Sequence, residues 1–372
     1  MTRLVIYSDM HWGDAGLAEC EAAADDLADL VAAVDPDVVL NLGDTFHAKD
    51  AVSSRTLDAF ATKMQRVRAK SHLVLSGNHD ASDRAGEVTS ARVLSLLGAD
   101  VVTGSKIITV GDTAIGLLSH TSDAQALNEH ARTLARDLRG VGYAVFSHVP
   151  IRGAAFNAKS VEESPDALDR SVLGDGIKLL FSGHYHHPQV LPGVPEVVIC
   201  GSPSYLTWGD NVWFEAGSAV PRGFLVVEIE RTGATYRRVA AQRTTVRLSV
   251  PVRQLNPVNP MGSVQSLVDN VRRVHPNNPL VVRLASESDE RKHVEAVLER
   301  LQAEAETCTP GVTYTATTSG RLTLPGTQQI RVASVEAKPL LRSVVAGLDR
   351  TIEERAAILT RAESFLPAEG GV

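Results

Sequence analysis

The chain has 372 residues, 44% hydrophobic and 22% charged, which is ample material for a core and, at this length, for more than one domain. Its formal net charge of -7 excludes a global positive field for nucleic acid, so only a local patch could serve that purpose. Three widely spaced cysteines (Cys20, Cys200, Cys308) with no CxxC pair argue against a disulfide framework or a cysteine zinc site, and favour a reducing cytoplasm.

The N-terminus runs straight into a short strand without the apolar core of a secretory signal, and no apolar run approaches the roughly 18 residues of a bilayer span; a soluble chain without a membrane partner is expected. Leu4–Tyr7 reads as a buried strand ending in Ser8-Asp9-Met10-His11. Leu17, Ala23, Ala24, Leu27, Leu30, Val31 and Val34 recur at helical spacing, and Pro36 stops that helix. Val38-Val39-Leu40 is a second buried strand leading into Gly43-Asp44, with His47 three residues on.

A helix over 54–70 follows, then the strand SHLVLSGNHD, which ends in Asn78-His79-Asp80. The helix ARVLSLLG, a β-rich piece closing at His120, the helix NEHARTLARDLRG and the strand YAVFSHVP with His148 come next. IKLLFSGHYHHP carries His184 and His186, and EVVICGSPS and RGFLVVEIE complete the strands. Between these last two lies a long irregular connection holding Tyr205, Trp208, Trp213 and Phe214, read equally as packing or as a wall against which DNA ends stack. Strand–helix alternation of this kind predicts an α/β domain over residues 1–240.

From 241 to 335 the strands TTVRLSV, PLVVRLA and GVTYTATT alternate with two helices and predict a small α+β domain. Between Arg231 and Arg283 nine arginines face a single acidic residue, Asp269. That run reads either as a solvated face or as a tract along a phosphate backbone, and the use of arginine throughout favours phosphate. Residues 336–372 contain an apolar stripe (Leu341, Val344, Val345, Leu348, Ile352, Ile358, Leu359) that predicts an amphipathic helix, packed on the second domain or docked on a partner.

The chemistry collects at the strand ends: Asp9 and His11; Asp44; Asn78 and His79; His148; His184 and His186. A lone histidine after a strand is usually a rim residue, and Gly-Asp is usually a turn. The joint pattern, always after an apolar run, points instead to metal. Residues i and i+2 of an extended segment share a side, so Asp9 with His11, and His184 with His186, can each serve one spot. This oxygen and imidazole mix suits Mn²⁺, Fe²⁺ or Zn²⁺. Eight such residues are too many for one ion but fit two ions about 3.5–4 Å apart. His120 reads as a rim residue, and His187 as solvent-facing or behind the ligands.

The ordered set SDMH, LGDTFH, SGNHD, FSHVP and SGHYHHP resembles the calcineurin-like metallophosphoesterase superfamily over residues 1 to about 230. The resemblance implies a four-layer β-sandwich flanked by helices rather than an open doubly wound sheet. It implies one cation, most often Mn²⁺, on Asp9, His11, Asp44 and His186, and a second on Asp44, Asn78, His148 and His184. His79 would touch the scissile phosphate and protonate the leaving oxygen, with Asp80 accepting the other ring proton of His79. Within the superfamily, His47 and the CGSPSYLTWGDN and RGFLVVEIE stretches resemble the SbcD-type nuclease subunit of DNA double-strand-break repair. That branch implies a phosphate contact at His47, a DNA-capping domain, an SbcC-type coiled-coil ATPase on the C-terminal helix and a homodimer. The alternatives are a phosphoesterase acting on a small molecule or on a phosphoprotein, built on the same metal core, and a metal-free scaffold.

Overall fold

The computed structural model describes residues 1–49, 51–157, 160–206, 220–256, 258–287, 291–309 and 311–319. Met1–Ser319 form one compact unit. Residues 320–372, with the C-terminal helix expected there, lie outside the described residues, as do Trp208, Trp213 and Phe214. Among the described residues no helix is long and apolar enough to cross a membrane.

The chain begins β1 (Thr2–Tyr7), α1 (Leu17–Val34), β2 (Val38–Asn41), α2 (Ser54–Met64), β3 (Ser71–Leu75) and β4 (Asp100–Val102). It continues β5 (Ser105–Val110), β6 (Thr113–Leu118), α3 (Ala124–Asp137), β7 (Gly142–Ser147), β8 (Ala155–Asn157) and β9 (Ser160–Val161). Then come β10 (Leu179–Ser182), β11 (Gln189–Leu191), β12 (Glu196–Ile199), β13 (Gly223–Glu230) and β14 (Gly233–Ala240). The expected helix ARVLSLLG is a 3-10 helix, Ser90–Leu97. The third helix starts four residues earlier than its apolar pattern shows, because the Asp123 carboxylate accepts the Gln125 and Ala126 N–H groups and caps it there.

Among the described residues two six-stranded sheets form, in the orders β14-β13-β1-β2-β3-β4 and β11-β12-β10-β7-β6-β5. Side-chain parity assembles them into four layers. Leu4, Ile6, Leu40, Leu73 and Leu75 of the first sheet meet Ile115, Leu117, Phe146, Phe181 and Val198 of the second in one buried cluster. The alternate residues Val5, Tyr7, Val39 and Val74 face outward onto Leu27 and Val31 of α1 and Phe60 of α2. Val145, Leu180 and Val197 do the same against Leu127 and Leu134 of α3. Strands covered on both faces carry unbroken apolar runs, which explains why these read so clearly in the sequence. The sandwich between helical layers is the architecture that the resemblance implied, and it replaces the open sheet expected from alternation alone.

A smaller sheet follows β14: β15 (Val246–Pro251), α4 (Pro260–Val274), β16 (Leu280–Glu287), α5 (Arg291–Cys308) and β17 (Val312–Ser319). Its three strands are parallel in the order β15-β16-β17. Val246, Leu248, Val282, Leu284, Val264, Val268 and Leu301 give it a core of its own, which also takes in Tyr205. Several arginines of the basic run are spent internally. Arg243 pairs with Asp26 and Asp29 of α1, Arg238 donates to Ile199 O and Cys200 O, Arg272 to Asn278 O and Arg283 to Ser249 Oγ. The basic run is therefore not one continuous tract for phosphate. Arg231, Arg237, Arg243, Arg253 and Arg273 are the members that lie exposed, Arg243 while paired with α1.

Candidate metal centre

β1, β2 and β3 run parallel in one sheet, and β6, β7 and β10 run parallel in the other. Their carboxyl ends meet at one edge of the sandwich. Beyond that edge the first two loops remain zipped together: Asp9 N–H donates to Gly43 O (3.0 Å), His11 N–H to Asp44 O (3.1 Å) and His47 N–H to Trp12 O (3.0 Å). Asp9, His11, Asp44 and His184 adopt left-handed backbone conformations, with φ of 54°, 50°, 52° and 77°. Two glycines permit the crowding. A Cβ on Gly43, itself at φ 115°, would lie 2.6 Å from His148 Nδ1, and one on Gly77 would lie 2.2 Å from both the N and Oδ1 of Asp44.

The donors converge from deep to shallow. Asp9 and His148 are fully buried, Asp44 is 1% exposed and His11 5%, while Asn78, His79, His184 and His186 are half-buried and His47 is exposed. His11 Nε2 stands 3.1 Å from His186 Nε2 and 3.4 Å from Asp44 Oδ2. On the other side, Asp44 Oδ1 stands 3.4 Å from His148 Nε2, and Asn78 Oδ1 stands 3.1 Å from His148 Nε2 and 2.7 Å from His184 Nδ1. The two oxygens of Asp44 thus face two different histidine clusters.

These contacts leave lone pairs facing one another. His148 Nδ1 lies 2.8 Å from Leu42 O, an acceptor, so its proton sits on Nδ1. In the neutral ring Nε2 would turn a lone pair toward the Asn78 and Asp44 oxygens, which are acceptors too, so a proton or a cation belongs between them. Asp9 Oδ2 is buried without a hydrogen-bond partner among the described residues, an arrangement that is costly unless a cation completes it. Asp9, His11 and His186 form one group with ligating atoms within 4.8 Å, and Asp9, Asp44 and His148 form another. The donor set fits two divalent cations of borderline hardness.

Electrostatics agree. Burial holds the imidazoles of His11 and His184 down to about 3, in the neutral form that ligates. Burial also raises the Asp9 carboxyl. In His148 burial acts downward, but the charges of Asp44, Asp9 and Asp80 outweigh it and lift the ring to about 9. Asp44 answers in kind: burial works against its ionised form, yet His148 and His11 keep it below the usual carboxylate range. Without a cation, a proton shared with this cluster takes its place.

Residues 2–188 match the family model described as calcineurin-like phosphoesterase. The chain belongs to that family. Solved structures similar to it include a 5'-nucleotidase precursor from Thermus thermophilus (17% identity, TM-score 0.39, covering 64% of this chain and 54% of that one). A dimetal phosphatase from Danio rerio is 12% identical, with TM-score 0.42 and coverage of 64% and 98%. The sulfate thiohydrolase SoxB from Thermus thermophilus is 15% identical, with TM-score 0.36 and coverage of 64% and 56%. The chain spans about half the length of the first of these, and at such scores none bears on the substrate. No curated protein matches.

All seven residues expected to hold metal in this family member come together, and His47 and His79 lie beside them. The His47 and His79 rings stack at 5.5 Å with planes 21° apart, and with His11 they bring ligating atoms within 4.8 Å of one another. Asp80 departs from its expected role. Its carboxylate accepts the N–H groups of Gly77 (3.0 Å), Phe46 (3.1 Å) and Thr45 (3.2 Å), whereas His79 Nδ1 faces His47 O at 2.9 Å. Asp80 clamps the two loops together, and the His47 carbonyl orients the His79 ring. Sequence reading also missed Asn41, which ties its own loop by accepting from Gly43 N–H and donating to Thr45 Oγ1. It missed buried Arg222 as well, which donates to His186 O at 2.6 Å and stacks on Tyr205. Neither carries a motif; only the folded loops show what they hold.

Proposed function

We propose that the chain is a two-metal-dependent DNA nuclease that hydrolyses phosphodiester bonds, an exonuclease with scope for endonuclease action, in DNA end processing, recombination or repair. The observation that carries this reading is the stacked His47–His79 pair at the rim of the metal donors. A hydrolase in this family needs one imidazole for the leaving oxygen; the second, exposed ring adds a contact for the phosphate of a bulky diester. When bound, two divalent cations, with Mn²⁺ first among them, activate water for in-line attack and neutralise charge growing on the phosphoryl oxygens.

Asp9, His11, Asp44 and His186 would hold one cation, and Asp44, Asn78, His148 and His184 the other. Asp44 offers one oxygen to each side. The His47 carbonyl accepts from His79 Nδ1, which leaves Nε2 for the substrate; acting as an imidazolium, the ring would pass its Nε2 proton to the departing oxygen and become neutral with its proton on Nδ1. His47 steadies the phosphate, and Asp80 maintains the spacing of the loops that carry Asp44 and Asn78.

The small α+β domain would cap the DNA through the exposed Arg253 and Arg273, giving sequence-independent, salt-dependent affinity. Residues 336–372 would dock an SbcC-type coiled-coil ATPase, with the nuclease acting in the cytoplasm as a homodimer. Retained ATPase capture after deletion of 338–372 rejects the docking. The internal bonds of Arg238, Arg243, Arg272 and Arg283 favour a second reading, hydrolysis of a small phosphoester. One comparison separates the two: linear duplex DNA, an aryl phosphodiester and an aryl phosphomonoester, each with Mn²⁺. Cleavage of DNA is expected, and activity confined to the small esters overturns the nuclease reading.

A further inference from the structure

β6, β7 and β10 lie side by side and parallel, with Leu118 opposite Ser147 and Ser147 opposite Ser182. His148 follows Ser147 directly, His184 comes two residues after Ser182, and His120 comes two residues after Leu118. Three imidazoles therefore line one edge, and two of them belong to the metal donors. The third is not a detached rim residue. The His120 ring lies 6.4 Å from the His184 ring with planes 15° apart. Its Nδ1 is buried without a hydrogen-bond partner among the described residues.

The backbone beneath this ring is pinned. His120 N–H donates to Ser76 O (2.9 Å) and Ser122 N–H to Arg84 O (3.1 Å), while Thr121 Oγ1 donates to the same Arg84 carbonyl (3.2 Å). A Cβ on Gly86 would lie 2.2 Å from His120 O. All of these anchors sit on the segment that carries Asn78 and His79, so the ring keeps a fixed place relative to the catalytic loop. The ring packs on His184 and its Nδ1 is committed to no hydrogen bond among the described residues, so the imidazole is held in place beside a metal donor without a polar role in the fold.

We propose that His120 is a substrate-contacting residue on the His184 flank of the centre, across from the His47–His79 pair. This rests on the phosphoester reading of the same site and deepens it. A phosphodiester carries two ester arms that leave phosphorus in different directions, and each needs a wall. His47 and His79 serve one flank; His120 serves the other, donating a ring N–H to an oxygen of the ester lying there. The contact forms in the bound substrate, so it governs binding more than turnover.

The test uses the full chain loaded with Mn²⁺ and compares wild type, His120→Ala and His120→Asn on an aryl phosphodiester and an aryl phosphomonoester. Melting temperature and bound metal are measured alongside. The alanine variant should raise KM about tenfold on the ester that the wild type hydrolyses, with kcat within about threefold, and the asparagine variant, which retains an N–H, should recover part of that. Metal content and melting temperature should stay unchanged. An unaltered KM, or a loss of metal or stability that accompanies equal falls on both esters, overturns the proposal. If the wild type hydrolyses the monoester alone, the monoester KM decides the role of His120, and the nuclease reading is judged separately by cleavage of linear duplex DNA.

Discussion

Replacing Asp80 by asparagine should make the metal-free protein more stable at neutral pH while weakening its hold on metal. The carboxyl is wholly buried, and burial followed by the charge of Asp44 pushes it up to about 6 from the ordinary 3.8, despite three N–H donors. That difference is about two pH units, or roughly 3 kcal/mol at 1.36 kcal/mol per unit. The folded chain binds this proton more tightly than the unfolded chain does. The metal-free fold is therefore favoured on the acid side, and it loses about 3 kcal/mol as pH rises from about 4 to about 6.

Asparagine keeps the shape without the charge. It turns an amide NH₂ toward one of the three N–H groups, as protonated Asp80 turns its O–H, so that local penalty largely cancels in the comparison. Denaturant titrations in chelator at about pH 4 and about pH 7.5 should show the stability gap moving toward asparagine by about 3 kcal/mol. Bound cations reverse the preference, because they favour an ionised carboxylate behind them, so Mn²⁺ affinity should fall about 10–100-fold. A gap that ignores pH, or unchanged Mn²⁺ affinity, refutes the reasoning.

His148, lifted to about 9, must lose a proton to ligate. Its charge stabilises the metal-free fold fully below about 6.5, and the effect fades as pH rises through about 9. Mn²⁺ binding at about pH 7.5 should thus release a proton, seen as a calorimetric enthalpy that varies with the buffer; no buffer dependence rejects this. Changing His79 to Asn should cut kcat at least about 100-fold with both metals retained, and joint loss of metal would show that the ring ligates instead. Gly77→Ala, which sets a Cβ 2.2 Å from Asp44, should cost about 1–3 kcal/mol and impair metal binding. Gly16→Ala, with nothing within 4 Å, should be nearly silent.

The strands and donors were legible because each strand is buried on both faces and ends at one sandwich edge, so an unbroken apolar run leads straight to a polar ligand. His120 escaped because TAIGLLSH closes on a lone histidine, without the second polar donor or the Gly-turn that marks LGDTFH, SGNHD and SGHYHHP, and only the β6–β7 pairing shows which strand it lies beside. Asp80 was misread as a partner of adjacent His79. The turn directs its carboxylate down onto backbone more than 30 positions away in sequence. The arginines misled for the same reason: Arg243 finds Asp26 and Asp29 on α1, over 200 residues earlier, and charge counted along a chain cannot register such partners.

The four left-handed residues at the strand ends bear on why these donors are Asp and His at all. A non-glycine residue in that conformation costs roughly 1–2 kcal/mol, and Asp, Asn and His are the side chains most often found there. Glutamate offers the same carboxylate chemistry but lacks that backbone tolerance. At Asp9, His11, Asp44 and His184 the stereochemistry of the bend and the coordination chemistry of the ion select from the same short alphabet. Substitutions at these positions should therefore be judged by two separate criteria, and Asp44→Glu, conservative by charge, should be disruptive by geometry.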